Sequence, residues 1–263
     1  MQLTLTHTLK FSLGTPARAV QHLLLTALDT PQQKVERWSI EMPGMAEAAV
    51  FRDGFGNRAH LVSLAKPEGE IVVTVSGSVE TTDKAGVLGR LEYDPMPAMF
   101  RRPTDKAKCD PQLIEGLHDG PDRIALLHEL MGRVHAALSG GDQAQSQSAD
   151  GQSQSQSAGA ARTDDFAHAF IGGARGLGIA ARHVTGYRFD EDGSNFHGWA
   201  EAWDDRLGWI GFDPMHDQCP AEAYVRVASG LDAGSTLPIR SVPVWLEMPA
   251  ETVELTAQPE PST

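Results

Sequence analysis

This chain of 263 residues has only two cysteines, Cys109 and Cys219. Two thiols make neither a disulfide framework nor a cysteine-rich metal cluster, and one bridge is the most they allow. Long hydrophobic runs are missing as well, and none approaches the ~18 residues of a spanning helix. Positive charge is scarce, with 22 Lys and Arg against 35 Asp and Glu and a net charge of −13. Nucleic acid and anionic membranes need clustered cations, so neither is expected as a partner. The N-terminus alternates polar and apolar residues and has no basic stretch leading into an apolar one. No export signal is read there, and the cytoplasm is the expected compartment. At 41% hydrophobic and 22% charged the composition is that of a globular protein. The length suits one large domain or two modest ones. The acidity serves solubility or a cationic substrate.

The first eighty-odd residues read as β-rich. Leu3, Leu5 and Leu9 alternate with polar residues across His7. Segments 48–51 and 59–64 are strand candidates around the turn Asp53-Gly54-Phe55-Gly56-Asn57. Residues 70–79 form the clearest strand. A short helix is predicted over 17–28, where Val20, Leu23, Leu24 and Leu28 have helical spacing. Residues 91–121 are punctuated by proline and irregular, with a short helix at 111–117. One apolar stripe, Ile124, Leu127, Leu130, Met131 and Val134, predicts a helix over 122–138. Residues 139–160 are rich in Ser, Gln and Gly and lack any large apolar side chain. Such a segment cannot recover the entropy of ordering and reads as a flexible linker. A second helix follows over 164–177, with Gly178 at its C′ position. Strands are expected at 181–189, 198–203, 209–212 and 224–228. An alternating stretch from Val242 to Leu255 has the period to return to a sheet before a tail. Runs of helices and strands in this order predict an α+β fold with an antiparallel sheet.

His197 and Asp213 lie on two of these strands, joined by a short turn. A base and its orienting carboxylate are held this way in nucleophilic enzymes. The helix start near residue 163 is where a nucleophile belongs, because a helix N-terminus lowers a thiol's pKa and offers backbone N–H groups to an oxyanion. The residue there is Thr163. Read alone, Thr163 is an N-cap, and Asp164 and Asp165 complement the helix dipole. Read as a nucleophile, it is a protonated hydroxyl without a terminal amine, beside a carboxylate that opposes an oxyanion. His183, His197 and His216 with Asp213 match no standard ligand spacing, so no metal is expected.

Five ordered blocks carry a resemblance: Ala-Arg-Thr-Asp-Asp-Phe-Ala-His at 161–168, Arg-Gly-Leu-Gly-Ile-Ala-Ala-Arg-His-Val-Thr-Gly-Tyr at 175–187, His-Gly-Trp-Ala-Glu at 197–201, Gly-Trp-Ile-Gly-Phe-Asp-Pro at 208–214 and Tyr-Val-Arg-Val-Ala at 224–228. They resemble the bacterial branch of the transglutaminase-like superfamily, with its papain-like Cys-His-Asp site. The family pattern has Gly-Val-Cys-Gln-Asp-Phe-Ala-His at the first block and His-Ala-Trp-Val-Glu at the third. Residues 1–85 are similar, more loosely, to the β-rich leader domain of these proteins.

The resemblance implies a leader over 1–85, a connector over 86–120, a core over 121–250 interrupted by the linker, and a tail over 251–263. It implies a catalytic set at Thr163, His197 and Asp213, with Thr163 in place of the cysteine, and no cofactor. Asp164, Trp199 and Trp209 are the expected substrate-binding positions, although the tryptophans read equally well as core. Three functions follow as expectations. The first is a pseudoenzyme that keeps a cleft for a peptide or protein. The second is an acyl hydrolase or transferase using Thr163. The third is a cysteine enzyme using Cys219.

Overall fold

Alternation becomes a strand at the start of the chain. Leu3, Leu5, His7 and Leu9 are all buried on β1 (Gln2–Ser12), so His7 belongs to the inward row rather than interrupting it. The computed structural model describes residues 1–139, 155–191, 193 and 195–258, with backbone alone at 155–162 and 258. β1 lies between β6 (Glu70–Thr81) and β13 (Ala250–Gln258), and β3 (Gln33–Glu41) closes the other side of β6. A second sheet has the order β12 (Ile239–Val242), β2 (Arg18–Leu23), β5 (Arg58–Ala65), β4 (Ala49–Arg52). The two sheets bury Leu5, Val75, Leu23 and Val62 in one core, which also takes in Tyr187 and Val225 of the third sheet.

That third sheet holds the site. Its order is β11 (Tyr224–Gly230), β8 (Ala181–Arg188), β9 (Asn195–Asp204), β10 (Gly208–Phe212), β7 (Val87–Gly89), and every pairing is antiparallel. Two helices, α1 (Arg123–Ser139) and α2 (Ser155–Gly176), bury Leu130, Val134, Phe166 and Phe170 against Ala200, Ala202 and Phe212. Asp122 caps α1 by accepting the Ala125 N–H at 3.3 Å. Helix α2 ends as expected: Gly178 has φ +80°, the Ile179 N–H reaches Ala174 O, and the Gly178 N–H reaches Arg175 O. Helices on one face of an antiparallel sheet are the predicted α+β class. Among the described residues no helix is long and apolar enough to cross a membrane.

Several expectations are corrected. The helix over 17–28 is strand β2, whose inward row is Ala19, Gln21 and Leu23. Gln21 donates to Ser241 Oγ at 2.9 Å, and this buried polar residue hid the period of two. Residues 111–117 form turns and no helix. Part of the expected connector is strand β7, at the edge of the core sheet. The expected tail from 251 is strand β13, paired with β1 from Gln2↔Gln258 to Lys10↔Ala250. Val242, Val244, Leu246 and Met248 do not enter a core; each is more than 70% exposed. Most of the linker, 140–154, lies outside the described residues, but 155–160 belong to α2.

That last correction moves the site. Thr163 does not start a helix: it stands about two turns inside α2, at 3.6 residues per turn. The preceding Ala158-Gly159-Ala160-Ala161-Arg162 contains no proline to stop a helix and is rich in the best helix former.

Candidate active site

β9 and β10 form a hairpin whose turn is held by Asp204, which accepts the N–H groups of Arg206 and Leu207 at 2.9 Å each. The register pairs Phe212 with Ala200, which brings Asp213 beside the start of β9. His197 Nε2 donates to Asp213 Oδ2 at 2.7 Å, and both residues are buried. The expected base and orienter therefore meet, which leaves Nδ1 as the ring nitrogen for the base's role.

Asp213 has more donors than the sequence disclosed. Oδ2 also accepts from His216 Nδ1 at 2.8 Å and from the Tyr224 hydroxyl at 2.6 Å, while Oδ1 accepts the Met215 N–H at 3.2 Å. Burial opposes its ionisation. His197 and the hydrogen bonds outweigh burial and hold the carboxyl well below the usual range. Burial and the Asp213 charge in turn push the Tyr224 phenol above its ordinary value. The ligand atoms of His197, Asp213 and His216 lie within 4.8 Å of one another. Their hydrogen bonds already give each of them a partner without a metal.

Thr163 is buried, and its Oγ1 accepts the Gly198 N–H at 3.3 Å, so it sits against the backbone next to His197. Asp164 is half-buried and engaged with a histidine. Its Oδ1 meets His183 Nε2 at 2.9 Å, and His183 Nδ1 meets Thr236 Oγ1 at 2.9 Å. A Cβ at Gly198 would stand only 2.5 Å from Asp164 Oδ1 and 3.1 Å from His183 Nε2. Asp164 and Gly198 are thus matched: the glycine leaves room for the carboxylate.

Trp199 and Trp209 part company. The Trp199 ring stacks on His197 at 6.1 Å with 21° between planes, and it is buried. Trp209 is fully buried beneath the Arg182 guanidinium, 3.9 Å from the ring centroid, and packs on Phe100 and Trp203. It pairs with Trp203, six residues along β9 from His197 and so about 20 Å away. Trp209 belongs to the core and not to a substrate site.

The two thiols are elsewhere. Cys219 Sγ lies 4.0 Å from His128 Nε2, and burial, with Asp83, pushes its pKa up to about 11. Cys109 packs against Gly176 at the far end of α2, about 20 Å along the helix from Thr163. Burial and Asp110 raise its pKa too. At both positions burial and a neighbouring carboxylate disfavour the thiolate, and neither thiol lies with His197 and Asp213.

Residues passed over in the sequence complete the surroundings. Glu201, Arg182 and Arg226 come from three of the five blocks and meet in the interior. Glu201 Oε2 is 2.5 Å from Arg182 Nε, and Oε1 is 2.8 Å from Arg226 Nε. Charged residues inside otherwise buried strand patterns were the available signal. His168 is a second case. Its Nε2 accepts the Ala233 N–H at 3.0 Å, so that nitrogen must be unprotonated. Burial, with neighbouring His183, lowers its pKa from 6.5 to about 4. The folded state keeps this histidine neutral where the unfolded chain binds a proton. Its stabilisation is therefore complete above pH 6.5 and lost as pH falls toward 4. His168→Gln, which keeps an acceptor, is expected to flatten the urea-unfolding midpoint across that window. An unchanged slope would assign the loss to other groups.

The sequence matches the transglutaminase-like superfamily over residues 122–214 and the bacterial transglutaminase-like N-terminal region over residues 3–80. It is 22% identical over 237 residues to the uncharacterized protein Rv2569c of Mycobacterium tuberculosis, covering 76% of this chain and 73% of that one. It is 30% identical over 86 residues to the uncharacterized protein ML0607 of Mycobacterium leprae, covering 30% of each. A crystal structure described as a "Putative Cysteine Protease" from Cytophaga hutchinsonii superposes with a TM-score of 0.71 at 19% identity, covering 100% of this chain and 92% of that one. That likeness is one of fold. By its two sequence matches, its helices on an antiparallel sheet and its His197–Asp213 pair, this chain belongs to the transglutaminase-like superfamily and carries the bacterial N-terminal region ahead of the core.

Proposed function

We propose that this chain is a transglutaminase-like protein without acyl-transfer chemistry, acting as a binding protein for a peptide or protein ligand. The observation that carries the reading is a buried His197–Asp213 pair facing a helix that offers a threonine and no thiol. The hydroxyl of Thr163 has a far higher pKa than a thiol. Inside α2 the backbone N–H groups around it bond to carbonyls four residues earlier and are withheld from an oxyanion. Asp164 adds negative charge where a tetrahedral intermediate would need positive. Thr163, His197 and Asp213 are each less than 7% exposed, so the set presents little surface to a scissile amide. Acyl transfer through Thr163, His197 and Asp213 is the opposing reading.

Peptide-amide hydrolysis and fluorophosphonate labelling separate the two. The expected result is background activity that Thr163→Ala and His197→Ala leave unchanged, with no adduct at 163. Activity lost in both variants would establish the Thr163 enzyme instead. The thiol of Thr163→Cys is expected to alkylate with an ordinary pKa near ~8.5. Asp164 and the continuous helix both oppose the thiolate. A pKa below ~7 would mean that the missing sulfur is the one defect of the site.

A further inference from the structure

Away from the catalytic remnant, a cavity of about 870 Å³ opens where both N-terminal sheets meet residues 90–94 and β11. Thr163, His197 and Asp213 take no part in its walls. Its volume falls within the range of ligand sites, and junctions of this kind are where such sites concentrate. We propose that this cavity binds an extended acidic peptide, whose backbone lies along strand β3 and whose carboxylates meet Arg58 and Arg90.

Two features select that occupant. The first is the strand edges. β3 is the last strand of one sheet and β4 the last of another, and both line the cavity, through Trp38 and Ile40 on β3 and Arg52 on β4. Every residue of β4 is exposed, including Val50 and Phe51. Both are terminal strands and so templates for an added strand, whose main-chain hydrogen bonds supply affinity without regard to sequence; β3 carries Lys34, Glu36, Arg37 and Glu41, β4 carries Arg52, and on β3 the Val35 N–H is already met by Asp29 at 2.8 Å.

The second is the state of the charges. Arg226 in the wall is already met by Glu201, and Asp94 by Arg182. Arg52 is held by Gly56 O at 3.0 Å and lies 3.5 Å above the Tyr93 ring. Among the described residues Arg90 reaches Asp205 O, at 3.4 Å, and the Trp203 ring. Arg58 is exposed and has no hydrogen-bond or ion-pair partner among the described residues. Against these three unpaired guanidinium groups the wall sets two carboxylates without a cation, Asp29 and Glu92. The cavity therefore keeps an excess of positive charge on a chain of net charge −13. A carboxylate-bearing ligand is drawn to that spot and repelled by most of the remaining surface.

The inference is independent of whether Thr163 reacts. It is tested by fluorescence anisotropy at low ionic strength on the full chain. The probes are a labelled peptide alternating Glu with Thr, its lysine counterpart, and the glutamate peptide with alternate amides N-methylated. The glutamate peptide is expected to bind. The lysine peptide and the N-methylated peptide are each expected to bind at least ~10-fold more weakly. The double variant R58E/R90E is expected to lose at least ~10-fold for the glutamate peptide while keeping its urea midpoint, because both side chains are exposed. Thr163→Ala is expected to bind as the parent does. No binding of the glutamate peptide, equal binding of the lysine peptide, or an affinity indifferent to R58E/R90E would each overturn the assignment. Equal binding of the N-methylated peptide would overturn the strand-edge part of it.

Discussion

Replacing Glu201 with alanine is expected to destabilise the protein by about 3–5 kcal/mol, a large share of the ~5–15 kcal/mol that holds a typical domain folded. Glu201 is fully buried on β9 and receives both Arg182 and Arg226. Burial raises its pKa, and the two guanidinium groups more than reverse that, holding it ionised below the ordinary value. Arg182 is fully buried as well, and its remaining carboxylate is Asp94 at 2.8 Å. Without Glu201, Arg226 loses its carboxylate and Arg182 keeps only Asp94, and that penalty, not the lost attraction, sets the size of the effect. Glu201→Gln keeps the shape and most hydrogen bonds, so it isolates the charge. Urea unfolding checks both variants. A loss under ~1 kcal/mol for Glu201→Ala would mean that water reaches Arg182 and Arg226. A double-mutant cycle with Arg182→Ala is expected to show strong coupling, since the two residues are direct cross-strand neighbours.

Asp213→Ala is expected to be nearly as severe, at about 3 kcal/mol or more, whether or not the protein has any catalytic activity. One carboxylate oxygen serves His197, His216 and Tyr224, and alanine leaves three buried or half-buried donors without an acceptor. The pH dependence has a definite sign. Asp213 has a folded pKa depressed below its unfolded value, so its contribution is complete above the unfolded value near ~3.9 and declines as pH falls below it. Parent and variant should therefore differ most near neutrality, and their unfolding free energies should converge in strong acid. Curves that stay parallel down to pH ~2 would mean that the carboxylate is not the stabilising species. Tyr224→Phe removes one donor and is expected to cost about 1 kcal/mol, as for a single hydrogen bond.

Effects of that size would keep His197, Asp213 and Glu201 in place whether or not Thr163 takes part in any chemistry. His197 and Asp213 read as catalytic machinery, yet in this chain the same hydrogen bonds join β9, β10 and β11 into one unit. Glu201, Arg182 and Arg226 do so again on β9, β8 and β11.

The sequence by itself determined the features whose cause is local. The stripe from Ile124 to Val134 can be buried only as a helix, and α1 forms there. The strand periods at 181–189, 198–203 and 209–212 and the turn at Asp204 force a hairpin, and the hairpin brings His197 to Asp213. That position 163 holds threonine was equally visible, because it is read directly off the chain. Tertiary structure decided whatever depends on partners remote in the chain. Gln21 sits in an inward row only because Ser241 is there to receive its amide, and that pairing turned an expected helix into a strand. Residues 250–258 form a strand because β1, at the other end of the chain, presents a free edge. The continuation of α2 upstream of Thr163 rests on helix propagation through an alanine-rich stretch, where composition alone had suggested a loop. Trp209 lies under Arg182 because β8 and β10 flank β9, a fact of sheet order that spacing does not encode. Local periodicity fixes which way a side chain faces, but only the assembled sheets determine what it faces.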